Sequence, residues 1–168
     1  MSAAMSGATS APLVVILMGS KSDLPHCQKI AEAAGRFGLE VVLRIGSAHK
    51  TPQHTLEILN QYEADPRAKV YITVAGRSNA LSGFVDAAVR APVIACPPAS
   101  DTFGGADIFS SLRMPSAVAP AVVLDPANAA LLAAKILGLA DEQVCQKVID
   151  FQREQRRKVM EDDGNLAG

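Results

Sequence analysis

Six consecutive apolar residues, Leu13-Val-Val-Ile-Leu-Met18, constrain the fold of this chain more than any other stretch. The run has the length of a strand, contains β-branched side chains and shows no alternation of apolar with polar positions. A strand that is apolar on both faces has to be covered on both, so it belongs inside a parallel sheet with helices above and below. Further strand-length runs follow at Glu40–Ile45, Lys69–Ala75, Val93–Cys96 and Ala121–Leu124. Helical patterns separate them. Alternation of this kind predicts right-handed crossovers and a three-layer αβα sandwich, an α/β doubly wound parallel sheet.

The helical segments carry recognisable starts and stops. Asp23 is placed to cap a helix with Cys27, Ile30, Ala31, Ala34 and Phe37 at three- and four-residue spacing, and Gly38 ends it. Thr51-Pro52 opens a second helix to about Ala64, with Leu56, Leu59 and Tyr62 on one face. Leu81–Arg90 reads as a third helix, weakened by Gly83, and Asp107–Met114 as a short one. Asn128–Leu139, almost wholly Ala, Leu and Ile, is expected to be buried on most of its circumference. Asp141–Asp162 is a last long helix whose incomplete stripe of Val144, Val148, Phe151 and Val159 suits either a second subunit or a solvated helix end.

With 168 residues the chain fits one domain, 12–168, large enough to bury roughly 70% of its unfolded surface without disulfides or a structural metal. Met1–Ala11 reads as a flexible leader without the charged start of a signal peptide, and the apolar run after it is too short to span a membrane. Sixteen Lys and Arg against seventeen Asp and Glu leave a net charge of -1, so no basic field points to nucleic acid. Cys27, Cys96 and Cys145 lack CxxC spacing and fall in apolar patterns, as expected of buried thiols in a reducing cytoplasm.

Fold alone assigns no chemistry, so the loops that leave the strands have to carry it. No GxGxxG, GxxxxGK[ST] or GxSxG is present, and the first and third strands do not end in the acidic residues that would hold a magnesium ion. Three polar clusters remain: Ser20, Ser22 and Asp23; Ser47, His49 and Lys50; Gly76, Arg77, Ser78 and Asn79. Hydroxyls, helix-start N–H groups and a lysine suit a phosphate, and Asp23 suits a ribose diol. His49, in the strand-to-helix loop GSAHKTP, is left as the one group able to give and take a proton near neutral pH. Each serine also reads as an ordinary cap, His49 as a loop-capping residue, and Arg77 and Asn79 as structural hydrogen-bonding residues at a helix start. His26 and His54 lie in helix starts and are assigned no catalytic role.

The motifs GSKSD, SAHKTP and AGRSN, in this order, resemble the PurE family of purine biosynthesis over about Leu13–Asp162. The resemblance implies a flavodoxin-like sandwich, a homo-octamer and the interconversion of aminoimidazole ribonucleotide with its 4-carboxylated product. It implies His49 as acid/base, and Ser20, Asp23, Ser47, Lys50, Gly76 and Ser78 as substrate-binding residues, with Ser22, Arg77 and Asn79 as further candidates. No metal, biotin or nucleoside triphosphate is implied. The family has a mutase branch, whose motifs are similar to SAHR and AGGAAHLPG, and a carboxylase branch that uses carbon dioxide directly. Lys50, AGRSNALSG and CPPASDTFGGADIFSSLRMPS follow the carboxylase branch, with the mutase and a non-catalytic nucleotide-binding module as alternatives.

Overall fold

The computed structural model describes residues 10–167, so the expected leader falls outside it except for its last two residues. Five strands, β1 (Leu13–Met18), β2 (Glu40–Ile45), β3 (Lys69–Val74), β4 (Val93–Ala95) and β5 (Ala121–Val122), form one sheet in the order β2-β1-β3-β4-β5. All four pairings are parallel. The helices are α1 (Leu24–Arg36), α2 (Pro52–Glu63), α3 (Ala80–Ala88), α4 (Phe109–Leu112), α5 (Pro126–Leu137) and α6 (Glu142–Ala167). This is the expected doubly wound sandwich.

Strand β1 lies between β2 and β3, and every one of its residues is buried. Because successive side chains point to opposite faces, Val14, Ile16 and Met18 enter a core with Cys27 and Ile30 of α1 and the alanines of α5. Leu13, Val15 and Leu17 enter the other, against Ile58 and Leu59 of α2 and Leu81 and Val85 of α3. Full burial of such side chains stabilises the fold by about 1.5–3 kcal/mol each. Strand β2 is an edge, and its Leu43 and Ile45 remain exposed.

Two expectations need correction, the burial of Cys145 and the buried face of α2. Cys145 is exposed, unlike Cys27 and Cys96, because α6 buries Val144 and Val148, and the next position round the helix turns outward. Along the same stripe Phe151 packs edge-on against Phe37, with ring centroids 5.5 Å apart, while Val159 is exposed. On α2 the buried residues are Thr55, Ile58 and Leu59, with Leu56 at the margin. Thr55 tolerates burial because its hydroxyl donates to the Thr51 carbonyl at 2.9 Å. Helix α5 does bury Ala129, Ala130, Ala133, Ala134 and Leu137, and Gly38 leaves α1 at a φ of 74°. No helix among the described residues is long and apolar enough to cross a membrane.

Candidate active site

Strand order decides which loops meet. The chain goes from β1 outward to β2 and then returns past β1 to β3, so the loops after these three strands emerge side by side at the carboxyl edge. That reversal point is where open α/β sheets place their ligands. The loops leave in register: Gly19 N–H donates to the Val74 carbonyl at 2.9 Å and Gly46 N–H to the Met18 carbonyl at 3.0 Å. Gly46 also lets α2 approach, since a β-carbon there would stand 2.8 Å from Thr55 Oγ1.

Each loop is stiffened by its own side chains. In the first, Ser20 N–H and hydroxyl donate to Asp23 Oδ2 at 3.2 and 3.4 Å, and the Ser20 and Ser22 hydroxyls are hydrogen-bonded. Asp23 stands at the N-cap of α1 as expected, but makes no side-chain cap: a 3-10 turn at Lys21–Asp23 folds its carboxylate back onto the loop. In the second, Ser47 N–H donates to Thr51 Oγ1 at 3.0 Å and Lys50 N–H to Ser47 Oγ at 3.2 Å. That closes a tight turn with His49 exposed at its tip. In the third, Arg77 adopts a φ of 59°, and its N–H donates to Asp107 Oδ2 at 3.2 Å.

Together the loops enclose a cleft of about 410 Å³ that collects every candidate residue except Asn79. Asp23 is its one acidic residue; His49, Lys50 and Arg77 supply the basic side chains. Asn79 is buried and turned to structural work. Its Oδ1 accepts the Ser82 N–H at 3.3 Å as the cap of α3, and its Nδ2 donates to Ser111 Oγ at 2.9 Å. Sequence reading missed Asp107, Ser110 and Ser111, which reach this loop across some thirty residues. A second cavity of about 290 Å³, lined by Pro97, Pro98 and Asp107, shares Ala75 and Gly76 with the cleft.

The remaining titratable groups nearby are not poised as nucleophiles. Burial pushes the Cys96 and Cys27 thiols up to about 12, so both stay protonated at neutral pH. His26 lies outside the cleft with Nε2 3.4 Å from Cys96 Sγ, and burial lowers its pKa.

A family model described as AIR carboxylase matches residues 13–158. The chain belongs to the AIR carboxylase family. A phosphoribosylaminoimidazole carboxylase of Treponema denticola is 57% identical over 92% of this chain and 98% of its own. One of Archaeoglobus fulgidus is 59% identical over 90% of this chain and 83% of its own. The crystal structure of Treponema denticola PurE superposes with a TM-score of 0.91 at 57% identity, covering 92% of this chain and 98% of that one. This chain is therefore an enzyme with the AIR carboxylase fold, and its cleft is built from the loops that carry GSKSD, SAHKTP and AGRSN.

Proposed function

We propose that this enzyme carboxylates aminoimidazole ribonucleotide directly with carbon dioxide at C4, reversibly and without ATP, with His49 as the acid/base. The observation that carries the reading is the cleft itself: one exposed histidine at a loop tip, facing hydroxyls, two cationic side chains and a single carboxylate. Asp23, already oriented by Ser20, suits the ribose diol. Lys50, the serine hydroxyls and the N–H groups at the helix starts suit the phosphate.

The chemistry requires little else. The aminoimidazole ring is an electron-rich enamine, so C4 attacks the carbon of carbon dioxide while one C–O π pair becomes the carboxylate. The tetrahedral C4 then holds one proton too many. His49, neutral at the start, takes that proton and aromaticity returns; the imidazolium gives it back in the decarboxylation direction. Positioning of the two reactants and exclusion of water supply the rest of the rate.

The carboxylase reading over the mutase rests on Lys50 and Arg77. The motif typical of mutases has glycine at position 77, which occupies positive φ without strain; this chain keeps an arginine there at 59°. A guanidinium retained against the backbone's preference supports a part for Arg77 in shaping the carbon dioxide pocket. Asn79 contributes to that pocket only by holding the loop. The test is ultraviolet-monitored conversion of aminoimidazole ribonucleotide with bicarbonate in the absence of ATP, beside the same enzyme given the N-carboxylated ribonucleotide. Product from the first is expected. Product only from the second would make the enzyme a mutase, and product from neither would favour a binding module.

A further inference from the structure

We propose that Asp107 is a positioning residue, whose carboxylate holds the Arg77 peptide in its left-handed conformation and so sets the third loop of the cleft. The inference rests on the carboxylase reading for its catalytic consequence, but not for the hold itself.

Arginine at a φ of 59° crowds its β-carbon against the following carbonyl, and an unsupported loop would relax to negative φ. Relaxation would turn the peptides on either side, those of Gly76 and Ser78, both of which line the cleft. What opposes it is the hydrogen bond from Arg77 N–H to Asp107 Oδ2 at 3.2 Å. A bond from N–H to an ionised acceptor is about twice as strong as one between neutral groups. The next support follows two residues along, where Asn79 N–H donates to Ser110 Oγ at 2.9 Å. The same hydroxyl donates to the Asp107 carbonyl at 2.7 Å, which ties the two supports together.

A holder is useful only if it is itself fixed. The segment that follows Asp107 is pinned to α3 at its far end, where Ala119 N–H donates to Asp86 Oδ2 at 2.7 Å. The same segment packs on α3 through Met114, whose Sδ would stand 2.9 Å from a β-carbon on Gly83. Asp107 therefore stands on a strut braced at both ends, with Ser110 and Ser111 on the third loop and Asp86 on α3.

The test combines Asp107→Ala, Asp107→Asn, Arg77→Gly and the double variant Asp107→Ala/Arg77→Gly. Hydrogen–deuterium exchange at the Arg77 amide should be at least about tenfold faster in Asp107→Ala, with the amides of β1 unchanged. In carboxylation assays Asp107→Ala should lose about 10- to 100-fold in kcat/KM through a displaced loop, whereas Asp107→Asn, which keeps an oxygen acceptor, should stay within about threefold. Glycine at 77 needs no holder. Adding Asp107→Ala to Arg77→Gly should therefore cost less than about threefold more. Unchanged exchange at Arg77, or a full additional loss in the glycine background, would overturn the proposal. If the unmodified enzyme shows no carboxylation, the carboxylase reading fails, and the exchange measurement still decides whether Asp107 holds the loop.

Discussion

The two ends of the sheet treat charge in opposite ways. At the amino edge, Arg67 bridges Asp65 at 2.8 Å and Glu40 at 2.7 Å, and Lys69 Nζ donates to the Asp65 carbonyl at 2.8 Å. Nearby, Glu63 accepts from the buried Tyr71 hydroxyl at 3.0 Å and from Arg90. At the carboxyl edge, among the described residues, no ion pair engages His49, Lys50 or the Arg77 side chain. Paired charges hold strand ends together; unpaired charges that line a cleft are available to a ligand. On the proposed reading, the contrast separates the residues that keep this fold from those that use it.

The largest effect should come from the histidine at the loop tip. His49→Asn is expected to lower turnover by about 100- to 10,000-fold. Its thermal unfolding midpoint should move little, because the side chain is exposed. Arg77→Gly sharpens the contrast further. It should reduce carboxylation by about tenfold or more while leaving unfolding stability unchanged or slightly raised, since glycine fits the positive φ. Equal losses of activity and stability would give Arg77 a structural role only. The opposite pattern is expected at the amino edge, where Arg67→Ala should lower the unfolding midpoint by roughly 2–4 °C and keep turnover within about twofold.

The smallest effect is a matter of acid. The Arg67 guanidinium, bonded to the Asp65 side chain, holds that carboxyl down from 3.8 to about 2. Between those values the unfolded chain binds a proton that the folded chain does not, so stability rises with pH. The contribution is complete above about pH 4 and fades as pH falls through about 2. A scan of unfolding midpoint against pH should therefore be flatter for Asp65→Asn in that window. An unchanged acid limb would remove Asp65 from the account of stability.

What could be read from the sequence follows from how local the cause is. The apolar run of β1 and the glycine after α1 act through the residue's own neighbours, and both appear as expected. The grouping of GSKSD, SAHKTP and AGRSN in one cleft was also legible, since parallel strands send successive loops to one edge. Features set by contacts distant in sequence were not. Asp107 looks like a helix start until the fold brings it to Arg77, and Asn79 reads equally as a pocket residue or a helix-start residue until Ser82 and Ser111 are beside it. Cys145 shares an apolar pattern with its neighbours, and only the docking of α6 through Val144 and Val148 decides that it faces outward.

The most direct test concerns the one-carbon substrate. With aminoimidazole ribonucleotide bound, the reaction can be started with freshly dissolved carbon dioxide or with bicarbonate, in the seconds before the two equilibrate. Direct carboxylation at C4 with His49 as base predicts an immediate full rate from carbon dioxide and a lag from bicarbonate that carbonic anhydrase abolishes. Absence of product from either, with product from the N-carboxylated ribonucleotide alone, would contradict it.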